Sequence, residues 1–442
     1  MWCMMSGNFT AAALRAIRDW LEERLPLVDQ AVLLLIAGLP RIWRLAVPDA
    51  LVFDEIYFPV YANNYLEGVS FFDAHPPLGK YLIALGIRFF GFTPFGYRIV
   101  DALFGIGVII LIYRLTSLLF RDRRIGLIAG LLAAFDGVLL VESRAGLINI
   151  FAVYFNLAAY YLFFRAGDET PERPRWFYLA GAGICIGAGM AVKWISFGTF
   201  GVIAVLFVVA KTAETWPAFA RLVPRGSPLK QIGRIHPDLY LATCVLIPIA
   251  VYGASFIIHL NQIPDWQFFE LQRQIFGYHA NLKAVHGYGS PWWSWPVLMR
   301  PVSYFYEFHK ETEMARTILN IGNPLLWWLA IPAVLYGCWE AIRRWTFPVV
   351  FLLFAFLCHY LPFSLISRVS YLYHFMGALP FAIILLAFVV VRLWDRQGWR
   401  REVAAGIVLL IALAFIYFFP IWTAVEIPVG AYYQRMWFTS WI

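Results

Sequence analysis

At 442 residues the chain has the length of two or three soluble domains, but its composition excludes them: 61% of residues are hydrophobic, 14% are charged and the mean hydropathy is +0.68. Apolar runs recur along the whole length, as in a polytopic helical membrane protein and unlike a soluble domain with one anchor. The net charge of +8 sits mainly in short loops between apolar runs, where membrane orientation accounts for it and nucleic-acid binding does not.

Residues 1–27, with Arg15, Arg18, Glu22, Glu23 and Arg24 and no small-residue cleavage site, read as a retained cytoplasmic leader. A crossing needs about 20 mostly apolar residues. Eleven are expected, at 28–46, 96–119, 125–141, 147–165, 177–192, 195–210, 238–259, 323–341, 347–366, 375–392 and 403–422. The connecting segments Arg121–Arg124, Lys211–Arg234, Arg343–Arg344 and Arg392–Arg401 are basic, which assigns them and the leader to the cytoplasmic face. The outer face then holds a first loop at 47–95, a turn near Ser143, a second loop at 260–322, the segment around Arg368–His374 and the C-terminus. Both long outer loops are rich in aromatics and proline. Within the second, Pro264–Lys283 spaces Phe268, Leu271 and Ile275 as a helix lying flat on the bilayer would. Cys185, Cys244, Cys338 and Cys358 fall in apolar spans and Cys3 in the leader, so no disulfide framework is visible. There is no fixed-period repeat and no pair of broken helices of the kind found in inverted-repeat transporters. The chain thus reads as a single all-α integral membrane domain, residues 1–442, with interfacial helices in its outer loops.

Chemistry-bearing residues gather at the predicted outer rim. Asp54 and Glu55 follow the first span directly. Neighbours on a helix point about 100° apart, so one acid can face a cavity while the other meets a partner, the alternative being a solvated pair that ends the helix. His75-Pro76-Pro77-Leu78-Gly79-Lys80 fixes the backbone through two prolines; it is a rigid turn before an interfacial helix, and His75 and Lys80 can still face the site. Asp136 and Glu142-Ser143-Arg144 lie at the outer end of the third span. An Arg costs about 2.5–3.5 kcal/mol within a membrane helix, so Arg144 is expected to pair with an acid, in a structural salt bridge, or with a phosphate. Lys193 carries the same logic, with snorkelling as its alternative. Arg368, Tyr373 and His374 form a third group, suited to a phosphate anion at headgroup level or to an aromatic belt. No P-loop, dinucleotide glycine pattern, Asp-x-Asp pair, Cys/His metal spacing or nucleophile elbow is present, which argues against a nucleotide donor. No cofactor is expected; a divalent cation stays open, since carboxylates alone can hold one.

These strings together resemble the protein O-mannosyltransferases that use dolichyl- or polyprenyl-phosphate mannose, in the GT-C membrane superfamily. The resemblance runs through nearly the whole chain: Phe53-Asp54-Glu55, His75 to Lys80, Asp136-Gly137, Glu142-Ser143-Arg144, Lys193-Trp194, Ser290 to Pro296, Gly322-Asn323-Pro324 and Tyr373-His374. It implies a GT-C-type scaffold and an inverting displacement in which mannose passes from a polyprenyl-phosphate donor to Ser or Thr hydroxyls of an exported protein. The site would lie at the outer face of a bacterial cell membrane. The phosphate leaves as a stable anion while the hydroxyl must lose a proton, so a carboxylate base is needed and a general acid is not. Asp54, or Glu55 if the helix faces the other way, is then the base. Arg144, Lys193 and Arg368 would neutralise the phosphate, with Tyr373 and His374 as hydrogen-bond donors. His75, Lys80, Asp136 and Glu142 would bind substrate or shape the loop. Eukaryotic relatives insert a β-trefoil domain that Asn261–Gly322 is too short to contain, and Asn149 stands where an Asp is common in the family. The competing enzyme reading is a lipid-carrier transferase of another sugar to a lipid, as in aminoarabinose transfer. A transporter or flippase would carry its charges nearer the midplane. No oligomeric state follows from the sequence.

Overall fold

The computed structural model describes residues 24–168, 172–263, 267–282 and 286–442. Residues 1–23 of the expected leader, Cys3 among them, lie outside the described residues, as do both ends of the stretch expected at Pro264–Lys283. In chain order the helices that matter here begin with α1 (Arg24–Ile42), α2 (Phe58–Glu67), α3 (Leu78–Phe90) and α4 (Pro94–Phe120). They continue with α5 (Arg123–Ala134), α6 (Gly137–Glu142), α7 (Asn149–Asp168), α8 (Glu172–Val192) and α9 (Phe197–Thr215). The rest are α10 (Pro237–Gln262), α11 (Phe268–Asn281), α12 (Pro324–Arg344), α13 (Phe347–Tyr360), α14 (Leu379–Trp394) and α15 (Trp399–Trp422).

Among the described residues, nine helical segments are long and apolar enough to cross a membrane, and they contain α1, α4, α7, α8, α9, α10, α12, α13 and α15. The expected count of eleven is not reached by length and composition. The span expected at 375–392 is α14, with only 16 residues. The span expected at 125–141 is two helices. Asp136 ends α5 and starts α6, its carboxylate accepting the Leu139 N–H at 2.8 Å while Trp327 Nε1 and the Asn323 N–H donate to its other oxygen. Hydropathy registers the apolar side chains on both sides of such a cap and passes over the break. The central helix α7 is buried nearly all round and packs along α4 and α8, as expected of a helix without a polar face.

The basic segments do share one end of the bundle. Arg123 pairs with Asp29 at 2.9 Å, Arg124 with Asp395 at 2.6 Å, and Arg392 and Arg344 both with Glu340, at 2.5 and 3.2 Å. The Arg225 N–H donates to the Trp345 carbonyl at 2.7 Å and ties the loop before α10 to the same end.

The other end carries the irregular structure. There α11 lies where an interfacial helix was expected. Leu271 and Ile275 are buried against Phe256, while Phe269 and Phe276 are exposed at 83% and 64%, as suits a helix with one face against lipid. The segment before α12 also holds a feature the helical reading lacked, an antiparallel hairpin of β1 (Val302–His309) and β2 (Met314–Asn320), extended by the short β3 (Ile427–Pro428) in the order β1-β2-β3. The alternation of Tyr304, Tyr306 and Phe308 with Ser303, Glu307 and His309 is a period-2 strand signal, and it was legible.

Candidate active site

The site is built around a strained turn after α1. Phe53 sits at φ +48°, a left-handed conformation that costs a non-glycine residue about 1–2 kcal/mol. Two contacts hold it there. The Phe53 ring stacks on Tyr304 of β1 at 4.2 Å and 7°. Two residues on, the Glu55 carboxylate accepts the Val52 N–H at 2.9 Å and the Gly146 N–H at 2.8 Å. It also forms a two-point ion pair with Arg98 at 2.7 and 2.8 Å. Arg98 spends its remaining donors on the carbonyls of Leu45, Pro48 and Ala50. With both partners almost wholly buried, Glu55 is a brace between the first loop, α4 and the turn after α6. Asp54, between these anchors, is half-buried, and its carboxylate has no hydrogen bond or ion pair among the described residues. Burial pushes its pKa up to about 6, with the Lys193 charge opposing.

Lys193 comes from the junction of α8 and α9, where its ammonium donates to Asn149 Oδ1 at 2.8 Å. Asn149 in turn donates to Glu142 Oε2 at 3.0 Å. Glu142 Oε1 accepts from the Tyr304 hydroxyl at 2.5 Å and from Asn320 Nδ2 at 2.8 Å. A chain of hydrogen bonds thus runs from the hairpin through α6 and α7 to Lys193, which also lies 5.9 Å over the Tyr373 ring. Burial and the nearby Arg368 lower the Lys193 pKa to about 8.

Lys193 opens onto a cavity of about 510 Å³ that also reaches His75, Trp194, His279, Arg368 and His374. Arg368 contacts His279 at 3.0 Å, and His279 reaches the Ala74 carbonyl at 2.8 Å. Burial, reinforced by Lys193 and Arg368, holds His75 and His374 well below the usual imidazole range, so they offer hydrogen bonds and not charge near pH 7. Lys193 and Arg368 are then the cations of this cavity, and Trp194, Phe276, Leu365 and Ile366 give it a long apolar wall.

The remaining expected residues have other neighbours. Lys80 is fully buried and clamps the first loop, ion-paired to Asp73 and donating to the carbonyls of His75 at 2.9 Å and Pro76 at 2.6 Å. Asp136 is wholly internal, at the break between α5 and α6. Arg144 does not line the cavity, and among the described residues no acid pairs with it. Its guanidinium donates to the carbonyls of Pro40, Arg41, Trp43 and Arg44 and so closes the C-terminal end of α1, where unpaired carbonyls carry negative partial charge. Arg144→Met removes a donor from each of those carbonyls, of which, among the described residues, only that of Arg44 keeps another, the Val47 N–H, and we expect it to cost about 1–3 kcal/mol, seen as a lower Tm in detergent with unchanged donor affinity. Tyr304, Asn320 and His279 join the site without having stood out in the sequence; the strand alternation at 302–309 and the helical spacing around His279 were the available signals. Among the described residues, no three His, Cys, Asp or Glu side chains converge closely enough to hold a metal ion.

The described residues thus form a helical membrane scaffold with an unpaired acid beside a cationic, apolar-walled cavity, and solved structures share the fold. The Saccharomyces cerevisiae protein O-mannosyltransferase Pmt1-Pmt2 complex bound to the sugar donor aligns with a TM-score of 0.81 at 15% identity, over 94% of this chain and 92% of that one. ArnT from Cupriavidus metallidurans bound to undecaprenyl phosphate aligns with 0.59 at 16% identity, over 88% and 63%. The profile described as dolichyl-phosphate-mannose-protein mannosyltransferase matches residues 31–96 and 92–263, and that of the C-terminal four-helix region of protein-O-mannosyltransferase matches 266–441. The chain belongs to the protein mannosyltransferase family. The polyprenol-phosphate-mannose–protein mannosyltransferase of Corynebacterium glutamicum is 29% identical over 83% of this chain and 81% of its own length. That of Mycobacterium tuberculosis is 28% identical over 88% and 86%.

Proposed function

We propose that this chain, acting as one membrane catalytic domain, transfers mannose from a polyprenyl-phosphate carrier to Ser or Thr hydroxyls of exported proteins. The reaction takes place at the outer face of a bacterial cell membrane, with the basic end of the bundle in the cytoplasm. One observation carries the reading within the family: Asp54 is half-buried with no hydrogen bond or ion pair among the described residues, and Lys193, whose charge opposes the rise in its pKa, opens onto the cationic cavity. The acceptor oxygen attacks the anomeric carbon as the bond to the carrier phosphate breaks. Asp54 takes the hydroxyl proton, and the phosphate leaves with the electron pair towards Lys193 and Arg368. Neutral His75 and His374, with the Tyr373 hydroxyl, donate hydrogen bonds to phosphate oxygens, and the apolar wall takes the first prenyl units of the carrier. Glu55 and Lys80 hold the loop, and Glu142 orients Lys193 through Asn149.

Purified protein, polyprenyl-phosphate mannose and a Ser/Thr-rich exported peptide are expected to give a peptide carrying one hexose, read by mass spectrometry. Hexose found only in the lipid fraction would instead indicate a lipid-acceptor transferase.

A further inference from the structure

A second cavity lies at the opposite end of the bundle. About 590 Å³ opens between the ends of α4, α7, α12, α13 and α14 and the loop before α10. Four guanidiniums, Arg121, Arg225, Arg344 and Arg392, face two carboxylates, Asp168 and Glu340. The charges are not matched one to one. Glu340 is 2% exposed and holds both Arg344 and Arg392. Arg121 and Arg225 have no side-chain hydrogen bond or ion pair among the described residues, although both border the cavity.

Their positions are fixed by the backbone. Arg121 ends α4 at φ +51°, which turns the chain out of the helix at the cavity edge. Arg225 is bridged to Thr346: its N–H donates to the Trp345 carbonyl at 2.7 Å and its carbonyl accepts the Phe347 N–H at 2.9 Å. Beneath the charged rim the walls are apolar, with Phe120, Phe347 and Phe388. A soluble anion would use only the rim. A rim of spare guanidiniums over an aromatic floor, at the end of helices that cross the bilayer, fits an amphiphile with a phosphate head.

We infer that this cavity binds one anionic phospholipid, its phosphate held between Arg121 and Arg225 and its upper acyl chains against the phenylalanine floor. The site is separate from the mannose-transfer reading, and its test does not involve turnover.

Protein in a neutral detergent, titrated with dioleoylphosphatidylglycerol, dioleoylphosphatidylcholine or inorganic phosphate, is expected by native mass spectrometry to keep one phosphatidylglycerol. Phosphatidylcholine should bind about tenfold more weakly or worse, and phosphate alone should neither persist nor displace the lipid. Arg121→Ala with Arg225→Ala should lower phosphatidylglycerol retention about tenfold or more, and Arg121→Lys with Arg225→Lys should keep most of it. Both pairs lie on exposed rims, and an unchanged Tm shows that the fold is intact. Equal retention of the two lipids, or undiminished phosphatidylglycerol binding by the folded alanine variant, overturns the proposal. Displacement of the lipid by millimolar phosphate assigns the site to a soluble anion and overturns the lipid assignment.

Discussion

Asp54→Asn lowers turnover of mannose transfer by about 10²–10⁴-fold, the range spanned by a positioned general base, while the affinity for the donor stays within a few-fold. The carboxylate is isosterically replaced, and its capacity to take a proton is lost together with its charge. Stability separates this from misfolding. Burial raises the Asp54 pKa, so above pH about 6 the fold holds a charge it would rather not bury; the variant keeps or raises Tm at pH 7. The pH profile carries the same assignment. The base works only when deprotonated, so activity falls as pH drops through about 6. Lys193 holds phosphate only when protonated, so activity also falls as pH rises through about 8. The expected kcat/KM profile is therefore a bell with limbs near 6 and 8. Lys193→Met removes the alkaline limb and, by deleting the cation that favours the Asp54 carboxylate, moves the acid limb upward. A variant whose acid limb stays in place would show that the two groups do not share a site.

How far the sequence led can be judged from particular residues. Nine of the eleven span positions were legible because lipid demands long apolar runs, and so was the convergence of Asp54, Lys193, Arg368 and His374 at one end, because polar residues at span edges have few places to go. What lay beyond reach was pairing. Sequence leaves Asp54 and Glu55 near equals; the Arg98 guanidinium, 43 residues away in sequence, and two main-chain N–H groups separate them by occupying Glu55. For Arg144 the sequence offers an acid as a protein partner, whereas its guanidinium meets four main-chain carbonyls, partners that no side-chain pattern advertises. The break at Asp136 was hidden for the same reason, since a cap is a local hydrogen bond inside an unbroken apolar run. Tyr304 was missed through the fold class: an all-α reading leaves no place for a strand, although the alternation at 302–309 was there to be seen.

Glu55→Ala is expected to act on the fold first and on the chemistry only through it. Removing one partner of a buried ion pair costs about 3–5 kcal/mol, because the other charge stays buried without compensation. Here Arg98 would keep its three carbonyls and lose the carboxylate it is ion-paired to, and the N–H groups of Val52 and Gly146 would lose their acceptor. The Phe53 turn, held at positive φ partly by this brace, would relax and carry Asp54 out of register with Lys193. Glu55→Ala and Arg98→Met should each lower Tm by several degrees. Because the two side chains act as a unit, the double variant should lose much less than the sum of the single losses. Activity per folded molecule should fall with the turn's order, and Glu55→Gln, which keeps a carbonyl oxygen for the two N–H groups, should recover part of both. If Glu55→Ala instead retained the parent Tm and lost turnover as completely as Asp54→Asn, Glu55 would be acting in the chemistry, and the roles assigned to the two neighbouring acids would have to be exchanged.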